Sequence, residues 1–366
     1  MSSKTASPLR YAVVGAGYIA QAAVLPAFAH ARANSRLTAI VSGDAAKRKA
    51  LARKYDAAAY SYEEYDACLA GGDVDAVYIA LPNNQHLEYT ERAARAGIHV
   101  LCEKPMAVDE RECARMIETC RRHRVKLMIA YRLHFERATL QALHAVDEGL
   151  IGEPRLFVSS FTMSVKGPNI RVDAESGGGT FYDIGIYCIN AARHLFRAEP
   201  LEVFAMTSGK KGDVEESTAC TLRFPDERLA TFCVSFGSDK TSEYRIVGTK
   251  GSLRVEPGYE LANGLEHHIS RGGKEKRTVA YAKRDQFAPE LLHFSECVLQ
   301  DREPEPSGAE GLADVRVIRA LYKSAAGGRP VRLAPAKLAA NPTLRNEIRR
   351  PPVRMPRLVH ATPPSG

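Results

Sequence analysis

The first 130 residues alternate between short apolar runs and stretches with helical periodicity. The apolar runs are of strand length and cover residues 11–14, 37–41, 76–81, 99–102 and 125–130. Helical patterns follow them, the first reaching residue 31 and the others covering residues 44–54, 88–96 and 110–123. Strands joined by helices of this length form a parallel sheet, because each parallel crossover needs a helix. The pattern predicts a doubly wound Rossmann α/β domain over residues 1–130.

After residue 131 the chain becomes rich in β-type patterns. Helical patterns at residues 135–148 and 180–195 flank a strand near 156–163, and further strand patterns occupy 201–208, 217–224, 229–236, 242–247 and 252–255. Helical patterns return at 289–300 and 308–326. Closely spaced strands with alternating polarity are typical of an antiparallel sheet with one open face. Residues 131–334 are therefore predicted to form a second, α+β domain.

The last segment, residues 335–366, is basic and rich in proline. From residue 331 onward the chain has seven Lys or Arg against one Glu, which supplies six of its eight net positive charges. The folded body is thus nearly neutral, so the basic charge does not indicate a nucleic-acid-binding protein. Prolines predict an extended segment, which is either a disordered end or an arm lying on a second subunit or on the rim of the cofactor cleft. The apolar residues expected to anchor such an arm are Leu344, Ile348, Val353, Met355 and Leu358.

Several classes of protein are disfavoured by what the sequence lacks. No run approaches the about eighteen apolar residues that a membrane helix needs, so no membrane association is expected. The eight cysteines are scattered without C-x-x-C or Cys/His spacing, which predicts reduced thiols and no metal site. The first ten residues carry no export signal. We therefore expect a cytoplasmic protein.

A glycine motif marks the candidate cofactor loop. Gly15, Gly17 and Ala20 follow the first apolar run and open the first helical pattern, matching G-x-G-x-x-A. The first glycine permits the tight turn, and the second lets the backbone approach a pyrophosphate at the helix N-terminus. The strand–loop–helix context predicts dinucleotide binding.

The residues after the second strand bear on the choice between NAD and NADP. An acidic residue there would hold the ribose 2′-hydroxyl of NAD, but this chain has Ser42 and Gly43, with Lys47 one turn later. A small hydroxyl with nearby cations favours the 2′-phosphate of NADP. Asp44 argues for NAD unless it only caps the next helix, and the cations could instead form a solvated helix face.

Two groups of residues are candidates for chemistry. Lys104, in Glu103-Lys104-Pro105, ends a strand at the carboxyl edge of the sheet, where α/β sheets bind ligands. Asp183 and Tyr187 are four residues apart, so they share one face of the predicted helix and could hold a polyol. Taken alone, the first group could be a surface turn and the second a half-buried Asp–Tyr pair.

In combination these motifs resemble the Gfo/Idh/MocA oxidoreductases. The motifs are the glycine loop, Pro82-Asn83-x-x-His86, Glu103-Lys104-Pro105, Gly177-Gly178-Gly179 with Asp183-Ile-Gly-Ile-Tyr187, and Ser307-Gly-Ala-Glu-Gly311. The resemblance implies that Lys104 and Tyr187 act in catalysis with Asp183, and that Arg132 and Arg171 contact the substrate. It also implies a cofactor site of Gly15, Gly17, Tyr18, Ile19, Ser42, Gly43, Lys47, Leu81, Asn83, His86, Glu103, Lys104 and Arg132.

The tyrosine at 187 favours the branch that contains glucose–fructose oxidoreductase and its aldose-oxidising relatives. That branch implies an NADP-dependent enzyme that oxidises a cyclic aldose at C1, with NADP retained and a second sugar as hydride acceptor. The alternatives are an aldose or dihydrodiol dehydrogenase with exchangeable NADP, and a non-enzymatic ligand sensor or nucleic-acid binder on a Rossmann scaffold. Family dimers pack through the open sheet face, so a homodimer or dimer of dimers is expected.

Overall fold

The computed structural model describes residues 7–336 and 340–364. They form two compact units, each built from more than one stretch of the chain. The first unit contains the chain up to Arg132, Asp285–Gly311 and Arg349–Pro363. The second contains Leu133–Arg284, Leu312–Ile348 and the end of the chain from Pro364. None of the helices in the described ranges is long and apolar enough to cross a membrane.

A parallel sheet of six strands is the centre of the first unit. Its strands are β1 Leu9–Val14, β2 Ser35–Val41, β3 Ala58–Tyr60, β4 Ala76–Ile79, β5 His99–Glu103 and β6 Leu127–Ala130. The spatial order is β3-β2-β1-β4-β5-β6, with every pair parallel. β1, β4 and β6 are buried almost throughout, as expected for strands covered on both faces. The predicted doubly wound α/β fold is confirmed.

The first five α-helices of the described residues alternate with these strands, and the later ones follow β6 along the chain. They are α1 Leu25–Ala27, α2 Ala45–Tyr55, α3 Tyr65–Ala70, α4 His86–Arg95, α5 Glu110–Arg122, α6 Arg137–Asp147, α7 Ile186–Phe196, α8 Ala288–Leu299 and α9 Gly308–Gly327. Two helices start with a π-helical segment, Ala20–Val24 before α1 and Phe181–Gly185 before α7. The first helix ends at Ala27 and does not reach residue 31 as predicted, because turns replace it before β2.

The second unit contains a sheet of nine strands. These are β7 Pro154–Ser164, β8 Glu202–Ser208, β9 Ser217–Arg223, β10 Leu229–Ser235, β11 Gly237–Gly248, β12 Ser252–Val255, β13 Leu265–Arg271, β14 Lys274–Tyr281 and β15 Val331–Arg332. Their order is β14-β13-β12-β11-β7-β10-β9-β8-β15, and only β7 and β10 pair in parallel. Buried and exposed residues alternate along β9 and β10, so one face of the sheet is open as predicted.

A buried ionic network stabilises the second unit. The Arg193 side chain is fully buried, and its Nη1 lies 2.5 Å from Asp314 Oδ1. Its Nη2 and Nε lie 2.6 and 2.9 Å from the two carboxylate oxygens of Glu199. Two carboxylates around one guanidinium satisfy a charge that would otherwise be costly to bury. The network ties α7, which carries Tyr187, to α9.

The units differ from the predicted domain boundaries at residues 285–311 and over the predicted tail, whose residues 340–348 belong to the second unit. Residues 285–311 belong to the first unit because α8 packs against the parallel sheet. The hydroxyls of Tyr11 and Ser35 lie 2.7 and 2.8 Å from Ser295 Oγ, and Asn34 Nδ2 donates to the Leu292 carbonyl at 2.9 Å. Residues 349–363, assigned from the sequence to a separate tail, also belong to this unit.

Candidate active site

The glycine loop leaves backbone uncovered where a dinucleotide would bind. Gly15 has φ +91°, and a Cβ there would lie 2.5 Å from the Ala80 carbonyl oxygen, so only glycine fits. A Cβ on Gly17 would meet no atom within 4 Å, so this backbone is open to a ligand. Tyr18 and Ile19 are half-buried at the start of the following helix. The loop therefore fits the pyrophosphate of a nicotinamide dinucleotide.

The acidic residue of the loop after β2 caps the next helix with one of its carboxylate oxygens. Asp44 is the N-cap of α2, with its Oδ1 accepting from the Lys47 backbone N–H at 2.9 Å, as the capping interpretation predicts. This bond is the main cause of a lowered pKa at Asp44. Ser42 is 3% exposed, Gly43 is exposed, and Lys47 is half-exposed. Arg48 donates to the Ser42 carbonyl, so its cation stabilises the loop backbone.

His86 connects the ends of two neighbouring strands. It is fully buried, and its Nδ1 and Nε2 each lie 3.0 Å from a carbonyl oxygen, of Pro105 and Leu81 respectively. Burial is the main cause of its lowered pKa. The direct contact of His86 with cofactor stays a prediction. Leu81 is likewise buried, whereas Asn83 is half-exposed at the start of a short 3₁₀ helix.

Lys104 follows a carboxylate that is held in the interior. Glu103 is 9% exposed, and its Oε1 accepts from the Tyr78 hydroxyl at 2.8 Å. Burial raises the pKa of Glu103, while the charges of Lys104 and Arg132 oppose that shift. Lys104 itself is half-exposed at the carboxyl edge of the parallel sheet. A cation at this edge can meet a ligand while Glu103 stays inside.

Arg132 lies in the interior, where its positive charge favours the ionised forms of two carboxyl groups. It is 5% exposed, and its Nη1 donates to Gln286. Its charge opposes the burial that raises the pKa of both Glu103 and Glu290. Glu290 is fully buried, and neither of its carboxyl oxygens has a hydrogen-bond partner among the described residues. We expect Arg132 to act mainly by stabilising the buried carboxyl group of Glu290 electrostatically, and to a lesser extent by lining the substrate site.

The second unit presents a carboxylate, a guanidinium and a phenol. Within residues 181–190, Asp183 and Tyr187 are the two half-exposed positions and all others are buried. They therefore share one face, although the segment begins as a π-helix and not as the predicted continuous α-helix. Arg171 Nε lies 2.7 Å from Asp183 Oδ2, with both side chains about one-fifth exposed. The Tyr187 ring packs edge-on against Phe161 at 5.7 Å between centroids.

The glycine run before this face positions Arg171. The Gly179 N–H donates to the Arg171 carbonyl at 2.9 Å, and a Cβ on Gly178 would lie 2.5 Å from that same oxygen. The Asp183 N–H in turn donates to the Gly179 carbonyl at 3.1 Å. The three glycines thus let the Arg171 turn approach the start of the helix that carries Asp183. Among the residues that the family resemblance implies, Lys104 and the cofactor-binding residues lie in the first unit. Arg171, Asp183 and Tyr187 lie in the second.

Sequence analysis missed the residues that support these groups. Gln286 accepts a hydrogen bond from Arg132, and Glu290 interacts with it electrostatically. Gln21 Nε2 donates a 2.9 Å hydrogen bond to the Ala16 carbonyl of the glycine loop. None belongs to a motif, and Gln286 and Glu290 are distant in sequence from Arg132. A polar residue inside an apolar helical pattern, as at Gln21, is the signal that could have identified one of them.

Two family models match most of this chain. A family model described as an oxidoreductase family with an NAD-binding Rossmann fold matches residues 9–131, and the GFO/IDH/MocA C-terminal domain model matches residues 139–254. A D-xylose 1-dehydrogenase [NADP(+)] of Haloarcula marismortui is 35% identical, over 90% of this chain and 94% of the relative.

Two solved structures are similar over most of the chain. An aldose-aldose oxidoreductase from Caulobacter crescentus, complexed with glycerol, has a TM-score of 0.84 and 38% identity, covering 89% of this chain and all of that one. A 3-ketoreductase from Actinomadura kijaniata, in complex with NADP and TDP-benzene, has a TM-score of 0.80 and 30% identity, covering 87% and 98%. The resemblance seen in the motifs is confirmed, and the chain belongs to the Gfo/Idh/MocA family of oxidoreductases.

Proposed function

We propose that the protein is an NADP-dependent sugar oxidoreductase that oxidises a cyclic aldose at C1. The observation that carries this proposal is the pair of open polar sites. One is a loop after β2 whose carboxylate is committed to capping, and the other is the half-exposed Arg171–Asp183–Tyr187 face. The first suits a 2′-phosphate, and the second suits a polyol. The similarity to an NADP-dependent xylose dehydrogenase and to an aldose-aldose oxidoreductase supports the same substrate class.

The proposed chemistry divides between the two units. When bound, NADP supplies the acceptor for the hydride that leaves C1. Tyr187 takes the proton of the C1 hydroxyl, so that the carbon–oxygen double bond of a lactone forms. Asp183, oriented by Arg171, accepts hydrogen bonds from the sugar hydroxyls.

The activity is tested with a panel of aldoses and NADP or NAD, following formation of the reduced cofactor. We expect turnover with aldoses and a preference for NADP. A trans-dihydrodiol belongs in the panel, because a zebrafish trans-1,2-dihydrobenzene-1,2-diol dehydrogenase is 29% identical over 70% of this chain. Oxidation of the diol without oxidation of any aldose would contradict the proposed substrate class.

Replacing Ser42 with Asp tests the cofactor assignment. A carboxylate at this position repels the 2′-phosphate, so we expect NADP affinity to fall at least about tenfold while NAD affinity is kept or improves. Titration calorimetry with both cofactors measures the change. Ser42→Asn is the matched control, since it adds similar bulk without charge. Unchanged NADP affinity in Ser42→Asp would mean that the 2′-phosphate lies elsewhere.

A second candidate function is aldose–aldose exchange on a retained cofactor. It is favoured by the 38% identity to the Caulobacter crescentus aldose-aldose oxidoreductase. Such an enzyme turns over a mixture of two sugars without added NADP and shows ping-pong kinetics. The ultraviolet spectrum of freshly purified protein then contains the absorbance of the reduced cofactor. A strict requirement for added NADP would assign the protein to the ordinary dehydrogenases.

We also propose that the open face of the second unit's sheet forms a homodimer, or part of a dimer of dimers. Apolar side chains on adjacent strands β7 and β10 are exposed there, including Leu156 at 46%, Val158 at 47% and Leu229 at 40%. Val158→Asp should lower the mass measured by sedimentation, because a buried unpaired charge opposes association. Leu299→Asp, at an exposed apolar position on α8, is the control. An unchanged mass in Val158→Asp would exclude this face.

A further inference from the structure

Residues 349–363 form an extended arm on the unit that carries the glycine loop. Arg350 Nε donates to the His30 carbonyl at 3.0 Å, and the Arg350 carbonyl accepts from the Asp285 N–H at 3.3 Å. Of the expected anchors in the arm, Val353 and Leu358 are half-buried, whereas Met355 is 57% exposed and does not act as one. The arm therefore lies on its own chain along a defined path.

One buried amide connects this arm directly to the glycine loop. Gln21 is 1% exposed, and its Oε1 accepts from the Val359 N–H at 2.8 Å. Its Nε2 donates to two carbonyls, those of Val359 and of Ala16, each at 2.9 Å. Ala16 lies between the two glycines that fit the pyrophosphate. The amide is fully hydrogen-bonded only when the arm is in place.

The next residue of the arm reaches the loop after β2. His360 Nδ1 lies 2.7 Å from Asp44 Oδ2, and Asp44 follows Ser42 and Gly43. His360 has φ +46°, a left-handed conformation that side-chain-bearing residues rarely adopt. A conformation of this kind persists only where the surroundings fix it. Here the Gln21–Val359 bonds immediately before it supply that constraint.

This contact occupies the carboxylate oxygen of the loop that could face a cofactor. A carboxylate just beyond the second strand is the feature that favours NAD and repels a 2′-phosphate. Asp44 is such a carboxylate, and its second oxygen, which the helix cap leaves free, meets His360. We propose that residues 349–363 complete the adenosine end of the cofactor site, and that His360 sets the preference for NADP by occupying the second carboxylate oxygen of Asp44. This inference rests on the proposed NADP dependence and adds a determinant outside the Rossmann motif.

His360→Ala tests the proposal through binding. We expect NADP affinity, measured by titration calorimetry on cofactor-free protein, to fall about tenfold, because the second carboxylate oxygen of Asp44 can then face the phosphate. NAD affinity should change less than about twofold, since NAD has no 2′-phosphate. His123→Ala, which removes an exposed imidazole from the same unit, is the matched control. Wild-type NADP affinity in His360→Ala, or an equal loss for both cofactors, would overturn the proposal.

A double-mutant cycle identifies the partner. Asp44→Asn keeps the N-cap, because asparagine caps as well as aspartate, and it removes the charge. In that background we expect His360→Ala to leave NADP affinity unchanged. A full tenfold loss in the Asp44→Asn background would show that His360 does not act through Asp44.

Removal of the arm is the second test. A chain ending at Ile348 should release NADPH faster in stopped-flow fluorescence than the full chain, and an unchanged release rate would overturn the covering role. If that variant does not fold, the His360→Ala measurements decide. Ser42→Asp distinguishes a failure of the arm proposal from a failure of the NADP assignment. If it weakens NADP while His360→Ala has no effect, only the arm proposal fails, and if Ser42→Asp has no effect, the NADP assignment itself fails.

Discussion

Replacing Tyr187 with Phe should lower kcat by about 10²–10⁴ while leaving the fold intact. The ring of Tyr187 packs against Phe161 and Tyr259, at 5.7 and 5.8 Å between centroids, and phenylalanine keeps both contacts. Only the hydroxyl is lost, and its proposed task is to take the proton from the sugar. Steady-state kinetics with an aldose and NADP measures the effect, and circular dichroism checks the fold.

Tyr182→Phe is the matched control for this variant. Tyr182 lies on the π-helical segment just before α7 and is 6% exposed, so its phenol does not belong to the half-exposed face. We expect turnover close to that of the wild type in the control. Turnover of the same size in Tyr187→Phe would remove the tyrosine from the mechanism.

Lys104→Ala should damage catalysis more than cofactor binding. Lys104 directly follows β5 at the carboxyl edge of the sheet, where we expect its cation to meet the nicotinamide and the substrate, and not the adenosine part of the cofactor. Loss of one group that stabilises developing charge lowers kcat by about 10²–10³. The dissociation constant for NADP should change little in the same variant. Rapid-mixing single turnovers and calorimetry measure these two quantities separately.

Lys126→Ala provides the comparison. Lys126 is in the same unit, but its ammonium lies 3.0 Å from Asp301 and 2.6 Å from Glu303 in a surface ion cluster. Its removal should leave both kcat and cofactor affinity unchanged. If Lys104→Ala instead lost the cofactor and kept its single-turnover rate, the lysine would be a cofactor ligand only.

The parallel sheet was predictable because each of its longer strands contains a predominantly apolar run. β3 and α3 were not predicted, since β3 has three residues and two of them are exposed. The β13–β14 hairpin was not predicted from the sequence for a related reason. β14 starts with Lys274, Glu275, Lys276 and Arg277, all of them exposed, and so shows no alternation of apolar residues. Edge strands that bury little surface leave little pattern in the sequence.

Only those residues of the candidate site that belong to sequence motifs were predictable. Gly15, Gly17, Lys104, Asp183 and Tyr187 each belong to a local pattern that reflects a backbone or chemical requirement. The pairs Arg132–Gln286 and Asp44–His360 are separated by 154 and 316 positions, so no spacing in the sequence reveals them. The π-helical starts were missed because apolar periodicity does not distinguish a π-turn from an α-turn.

The unit that carries the glycine loop is assembled from parts of the chain that are synthesised far apart. All six strands of its sheet have been translated by residue 130, yet the Tyr11 hydroxyl still lacks Ser295, and the Gln21 amide still lacks Val359. A nascent chain at that stage exposes apolar surface that α8 covers later, and buried polar groups remain unpaired. The region that emerges first from the ribosome is therefore among the last to reach its final form. Stalled or prematurely terminated chains of this protein should be recognised by chaperones at their N-terminal region.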